Sequence, residues 1–194
     1  MNLLRKLYNW TLDKSNHPKA PWFLSIISFC ESSFFPIPPD IILIPMVIAN
    51  RAKAWIYAFI CTISSVFGGV AGYFIGYFFY NSIGTFIIEY YSLGDQFINF
   101  ESYYNKYGIW IVLGAGFTPF PFKFITIASG LFNLNLILFI VVAFLARGLR
   151  FFFLAGLLKL FSNFITRYID RYFNILATLF FVLLIGSFIL IWYL

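Results

Sequence analysis

The sequence predicts an all-α integral membrane protein in which an interrupted helical segment occurs twice. Of its 194 residues, 62% are hydrophobic and only 10% are charged, whereas soluble domains are about 45 to 50% apolar and about 25% charged. Uncharged apolar stretches such as 54–88 and 172–194 are longer than the roughly 18 residues that mark a candidate span. These stretches lack the alternating polar positions of barrel strands, so the spans are predicted to be helices.

The N-terminal segment, 1–21, is predicted to be an interfacial amphipathic helix. Basic residues are interspersed there with Leu3, Leu4, Leu7 and Trp10 at near-helical spacing, the pattern of a helix that lies in the membrane surface. The segment lacks the uninterrupted apolar core of a signal peptide, so we expect it to be retained.

The next segment, 22–50, is apolar but interrupted in its middle. Pro36, Pro38 and Pro39 occur in close succession and Asp40 follows directly. Because a proline removes a backbone donor and clashes with the preceding turn, a continuous helix cannot pass through this run. We therefore predict a re-entrant hairpin rather than a membrane span.

The same pattern returns in the second half of the chain, at 107–133. Pro119 and Pro121 interrupt an apolar stretch just before Lys123. A gapless alignment of the two breaks places Asp40 opposite Lys123. Paired interrupted segments in corresponding halves indicate a transporter-type binding site at a repeat interface.

Uninterrupted spans complete the predicted membrane domain, which covers 22–160. One span follows each broken segment, at 54–80 and at 135–158, and a polar loop, 81–106, separates the two halves. A further span is predicted at 172–194, after the membrane domain.

The distribution of basic residues favours hairpins that enter from opposite sides. With re-entrant hairpins, most basic residues outside the spans lie on one side, as the positive-inside rule requires. They are Arg5, Lys6, Lys14, Lys19, Arg51, Lys53, Lys159, Arg167 and Arg171. We therefore expect a multi-pass membrane protein with its N-terminus in the cytoplasm. The net charge of +6 is explained in the same way, without a nucleic-acid partner.

Charged residues within the apolar segments are the candidate binding residues. They are Glu31, Asp40, Lys123, Arg147 and Arg150. Such charges are costly in hydrocarbon and usually face a bundle interior or a cavity. Their sum leaves one positive charge in excess, and the half-helix starts at the breaks offer free N–H groups to an anion. A lipid phosphate headgroup fits both features, whereas a purely structural role would leave these residues as paired ions between helices.

The sequence contains no set of residues for catalysis or metal binding. The single histidine, His17, precedes the membrane domain, and Cys30 and Cys61 lie within apolar segments where packing is their expected role. We therefore expect a protein that is not an enzyme and that needs no metal or cofactor.

Three motifs resemble those of the DedA superfamily, also called the VTT or SNARE-associated Golgi protein group, and in particular its small YqaA-like bacterial branch. They are ESSFFPIPPD at 31–40, GFTPFPFK at 116–123 followed by IASG at 127–130, and RGLRFF at 147–152. The resemblance implies two opposed re-entrant loops, a location in a bacterial cytoplasmic membrane, and transport of lipids, either polyprenyl phosphate or phospholipid. It also implies essential roles for Glu31, Asp40 and Lys123.

Two positions depart from the pattern of the family. Phe117 and Lys123 stand where many relatives carry arginine, so one cation is absent and another lacks the bidentate guanidinium fork. Arg147 and Arg150 are candidates to replace the missing charge.

Three functions are therefore weighed. The first is translocation of a lipid phosphate, coupled to H⁺ or Na⁺ or uncoupled. The second is an antiporter that binds H⁺ or Na⁺ at Glu31 and Asp40, and the third is a scaffold without transport. The glycine-rich face from Gly68 to Gly76 packs either within one chain or against a second copy in a homo-oligomer.

Overall fold

The computed structural model describes residues 19–35, 37–80, 82, 94–118 and 120–161. Within these ranges the regular secondary structure is helical and contains no strand, which confirms the predicted all-α class. The α-helices are α1 (Ala20–Ser33), α2 (Asp40–Ala49), α3 (Ala54–Phe79), α4 (Gly94–Phe117), α5 (Phe122–Leu131) and α6 (Leu136–Phe161), and a 3₁₀ turn, Arg51–Lys53, joins α2 to α3. The predicted span 172–194 and all but the last three residues of the predicted surface helix 1–21 lie outside the described residues.

Proline determines where the helices stop and restart at the first break. Helix α1 ends at Ser33, and α2 begins only at Asp40, directly after Pro39. The φ of −64° at Pro39 suits the residue that precedes a first helical turn. Pro38 lies between the two helices, while Pro36 lies outside the described residues.

The second break has the same construction. Helix α4 ends at Phe117, and α5 begins at Phe122 after Pro121, whose extended ψ of 106° prevents a continuous helix. Pro119 lies outside the described residues.

Helix α4 begins earlier than predicted. Residues 94–106, predicted to belong to the connecting loop 81–106, are helical. Tertiary contacts hold this first half of α4. The ring of Tyr104 lies 5.2 Å from the ring of Phe132, between centroids, and its hydroxyl is 2.9 Å from that of Ser129. The polar residues within 94–106 are typical of a loop, but the contacts of Tyr104 provide the burial that stabilises a helix.

Two helices are long and apolar enough to cross a membrane among the described residues. One comprises α3 with its preceding turn, Arg51–Phe79, and the other is α6. They lie close to the predicted spans 54–80 and 135–158. Large apolar side chains remain exposed on the outer helix faces, including Trp22 at 72% and Ile137 at 74%, as expected for a surface that faces lipid rather than water.

Helix α3 is the centre of the bundle, and its glycines allow α1 and α5 to approach closely. A Cβ at Gly68 would overlap the backbone of Phe29 in α1, and one at Gly76 would overlap the backbone of Ile127 in α5. Gly72 lies between these two crossings and adjoins both helices. The glycine-rich face therefore packs within one chain.

Two apolar clusters show which ends of the helices lie together. Ala20, Ala54 and Leu158 belong to one cluster, so the starts of α1 and α3 meet the end of α6. Tyr73 and Leu134 belong to a second cluster, together with the first half of α4, and the Tyr73 hydroxyl donates to the Leu134 carbonyl at 2.6 Å. Helices α1 and α2 thus enter and leave the bundle near the start of α3, whereas α4 and α5 do so near its end.

Candidate functional site

The structure joins four of the five predicted charges into two ion pairs. Glu31 pairs with Arg147, and Asp40 pairs with Arg150. Lys123 forms no ion pair with any residue that the structure describes. The two breaks and the middle of α6 thus meet in one polar cluster.

The Glu31–Arg147 pair is the buried part of this cluster. Arg147 is fully buried; its Nη2 contacts a Glu31 carboxylate oxygen, and its Nε donates to Ser65 Oγ at 2.6 Å. The guanidinium carbon lies 4.9 Å from the centre of the Phe122 ring and 4.8 Å from that of Phe151. A charge in this setting is tolerated because it has an ionic partner, hydrogen bonds and two aromatic faces.

Glu31 also occupies the start of α5. The backbone N–H of Phe122 donates to Glu31 Oε1 at 3.4 Å, and Ser32 Oγ donates to Oε2 at 3.1 Å. A carboxylate is stabilised at this position by the positive end of the helix dipole. The sequence predicts a free anion site at this helix start, but the Glu31 carboxylate of α1 already lies there.

The Asp40–Arg150 pair connects the two breaks. Asp40 is the first residue of α2, where its charge also complements the helix dipole. Arg150 Nη2 contacts Asp40 Oδ2, and Nη1 donates to the backbone carbonyl of Thr118 in the second break at 2.8 Å. The side chains of this pair are 14% and 18% exposed, so the pair is more accessible than the first.

One atom of each pair is buried without a hydrogen bond to any described residue. These atoms are Arg147 Nη1, a donor, and Asp40 Oδ1, an acceptor. Such unsatisfied polar atoms are unfavourable, so the cluster keeps one unused donor and one unused acceptor.

Lys123 lies in the first turn of α5 and is half-buried. Its Nζ is 5.4 Å from the centre of the Phe124 ring. Although the alignment of the two breaks places Asp40 opposite Lys123, these residues do not pair, because Asp40 is bound to Arg150. Aligned positions of a repeat occupy equivalent places, which need not be in contact.

Serines along the α1–α3 interface belong to the same polar region, and the sequence analysis missed them. Their hydrogen bonds are Ser25 to Ser64 at 2.7 Å, Ser28 to the Cys61 carbonyl at 2.8 Å, Ser32 to Ser65 at 2.6 Å and Ser33 to the Gly68 carbonyl at 2.9 Å. These hydrogen bonds could have been predicted from serines at spacings of three and four within an apolar helix, because this pattern is typical of contacts between membrane helices.

With this geometry established, the comparisons with known proteins identify the family. The model of the VTT domain matches residues 37–160. The chain belongs to the VTT domain family, the domain of the DedA superfamily. The predicted resemblance is thereby confirmed, and since VTT domain proteins are membrane proteins, so is the membrane class. The matched region contains Asp40, Lys123, Arg147 and Arg150, whereas Glu31 precedes it.

Relatives of this VTT domain protein occur in two bacteria. The chain is 34% identical over 157 residues to an uncharacterized protein of Haemophilus influenzae, and the match covers 81% of each chain. It is 36% identical over 151 residues to an uncharacterized protein of Histophilus somni, with 78% of each chain covered. No solved structure matches the chain.

Proposed function

We propose that this VTT domain protein moves an amphiphile with a phosphate headgroup, a polyprenyl phosphate or a phospholipid, across the bacterial cytoplasmic membrane. The observation that carries the proposal is the position of Lys123 at the second break, without a carboxylate partner among the described residues. The other four charges of the apolar segments form two neutral pairs. The five charges together therefore have one positive charge in excess, and an anion at Lys123 would balance it.

The surroundings of Lys123 suit a ligand that has an apolar tail. Phe117 and Phe124 flank the second break and are 49% and 43% exposed. A phosphate at Lys123 would leave its lipid chain beside these rings and in the bilayer. An anion without a tail would gain nothing from this exposed apolar surface.

We further propose that both interrupted segments are re-entrant hairpins. The meeting of Ala20 with Ala54 at one end of the bundle, and of Tyr104 with Leu134 at the other, supports hairpins that enter from opposite sides. Lys159 Nζ lies 5.2 Å from the centre of the Trp55 ring, so basic residues gather at the first end. Under the positive-inside rule that end, with the N-terminus, faces the cytoplasm.

In this proposal the protein acts as a transporter and carries out no chemical step. If a gradient of H⁺ or Na⁺ drives transport, Glu31 and Asp40 are the residues at which the cation acts. Each carboxylate already has an arginine partner, so the cation has to compete with a guanidinium for it.

The test is the transbilayer movement of a fluorescent polyprenyl phosphate in proteoliposomes. We expect Lys123→Ala to abolish movement, because it removes the unpaired cation, and Lys123→Arg to preserve it. Lys53→Ala, an exposed basic residue outside the cluster, is the matched control and is expected to behave as the intact protein does. Normal movement by a folded Lys123→Ala variant would overturn the proposal.

The same vesicles distinguish the alternatives. A flux of H⁺ or Na⁺ that requires Glu31 but no lipid phosphate would indicate an antiporter. If the intact protein moves neither ions nor lipid, and the charge substitutions matter only when they unfold the protein, a scaffold is the remaining function.

A further inference from the structure

We propose that Asp40 is a carboxylate with two positions: it pairs with Arg150 when no phosphate is bound, and it moves to Arg147 when a phosphate headgroup binds Arg150. This inference rests on the proposed function, to which it adds a second phosphate-binding residue and the route by which that residue becomes available.

A phosphate can bind the guanidinium of Arg150 in a better geometry than its present partners do. Its two terminal nitrogens bind different partners, since Nη2 contacts Asp40 Oδ2 and Nη1 donates to the Thr118 carbonyl. A phosphate accepts from both nitrogens at once, in the bidentate geometry that suits a guanidinium. Arg150 and Asp40 also retain some exposure, at 14% and 18% of their side chains, so a ligand has access to the pair.

Arg147 offers Asp40 a second partner. Arg147 Nη1 and Asp40 Oδ1 are both buried and both without a hydrogen bond among the described residues. Arg147 and Arg150 are three residues apart on α6 and so share one helix face. A move of the carboxylate from Arg150 to Arg147 would satisfy the unused donor and the unused acceptor together.

Arg147 itself is not the residue that exchanges. Its guanidinium is fully buried, bonded to Glu31 and Ser65, and enclosed by the rings of Phe122 and Phe151. Glu31 therefore stays in place while Asp40 moves. Because Arg150 also holds the Thr118 carbonyl, its transfer to phosphate would release both breaks from each other, which couples binding to a change in the hairpins.

The first experiment measures the affinity of the full chain in detergent for farnesyl phosphate by calorimetric titration. We expect Asp40→Asn to bind about tenfold or more tightly than the intact protein, because the competing carboxylate is gone, and Arg150→Lys to bind about tenfold or more weakly. In the Arg150→Lys background, Asp40→Asn should have little further effect. Lys53→Ala is expected to leave the affinity unchanged.

The second measurement follows Arg147 directly. With ¹⁵N-labelled arginine, the Arg147 side-chain resonance, assigned with an Arg147→Lys variant, is expected to shift when farnesyl phosphate is added to the intact chain. The shift should be absent in Asp40→Asn, which has no carboxylate to transfer. A residue that only stabilises the fold would produce neither the tighter binding nor this dependence.

The outcomes separate this inference from the proposed function. If folded Asp40→Asn and a second variant, Asp40→Ser, both bind no more tightly than the intact protein, or if Arg147 does not shift, the exchange is wrong. If the exchange is wrong but Lys123→Ala still abolishes binding, the proposed function stands without the exchange. Failure of the intact protein to bind either farnesyl phosphate or a phospholipid, phosphatidic acid, would overturn both.

Discussion

The Arg147 guanidinium is held by five side chains: the Glu31 carboxylate, the Ser32 and Ser65 hydroxyls, and the rings of Phe122 and Phe151. These partners come from α1, α3, α5 and α6 itself. One buried cation therefore links both interrupted segments to both long helices. Removing it would leave the Glu31 carboxylate buried without its ionic partner.

We predict that Arg147→Met lowers the free energy of unfolding by about 3 to 5 kcal/mol, the usual cost of breaking a buried pair. Arg150→Met should cost clearly less, because its pair is partly exposed. The double variant Glu31→Leu/Arg147→Met is expected to recover most of the loss, since apolar replacement of a whole buried pair is often neutral. Denaturation in detergent micelles measures all three, and an equal loss in the two arginine variants would contradict the prediction.

At this scale the sequence predicted which charges lie in the membrane domain but not how they pair. Five charges in apolar segments are visible in the sequence, and each carboxylate needs a cation nearby. Which cation it receives depends on contacts between residues far apart in the sequence, such as Glu31 and Arg147, which are 116 positions apart. The repeat alignment places Asp40 opposite Lys123 but does not tell which cation Asp40 binds, and that cation is Arg150.

At the scale of the elements, α3 determines how closely the two breaks approach. Its glycines remove the side chains that would separate α1 and α5 from the centre of the bundle, and the carbonyl of Ile127 lies directly against Gly76. The backbone cannot rotate away as a flexible side chain would. Close packing at these crossings is thus a requirement for the polar cluster.

We predict that Gly76→Ala and Gly68→Ala each destabilise the protein by about 1 to 3 kcal/mol or more, as overpacking does. Gly114→Ala is the matched control, because a Cβ there meets nothing within 4 Å, and it should stabilise α4 by about 0.5 to 1 kcal/mol. The melting temperature in detergent measures both effects. A Gly76→Ala variant as stable as Gly114→Ala would show that α5 does not pack on α3 in this way.

Element boundaries were predictable where a single residue type acts locally. Proline ends and restarts the helices at both breaks, so α2 and α5 begin where the sequence predicts. The first half of α4 was not predictable, because many of the residues at 94–106 are polar. Their helix is stabilised by the contacts of Tyr104 with α5 and with the turn that follows α5.

At the scale of the whole molecule, the two interrupted segments rejoin the bundle at opposite ends of α3. This arrangement places Lys53, Trp55 and Lys159 at one end and Tyr103, in the first half of α4, toward the other. The proposed orientation follows from this separation together with the positive-inside rule.

We predict that membrane-impermeant maleimide labels Tyr103→Cys in intact spheroplasts and labels Lys53→Cys and Lys159→Cys only after permeabilisation. The background is Cys30→Ala/Cys61→Ala, which removes the native thiols, of which Cys61 is buried. Tyr103 is 66% exposed and lies close to the polar Asn105 and Lys106, so we expect its replacement to meet the aqueous reagent. Labelling of Lys53→Cys from outside would mean that the first segment crosses the membrane instead of returning.

The sequence by itself determined the membrane class, the two long helices, the proline breaks and the identity of the charged residues. These features depend on local chemistry: hydropathy along the chain, the missing donor of proline and the cost of a charge in an apolar stretch. Only the tertiary structure decided that Glu31 lies at the start of α5, that Arg150 joins Asp40 to Thr118 and that Lys123 has no carboxylate partner among the described residues. Pairing depends on distances across the bundle, and those distances are determined by the packing of α1 and α5 on the glycines of α3.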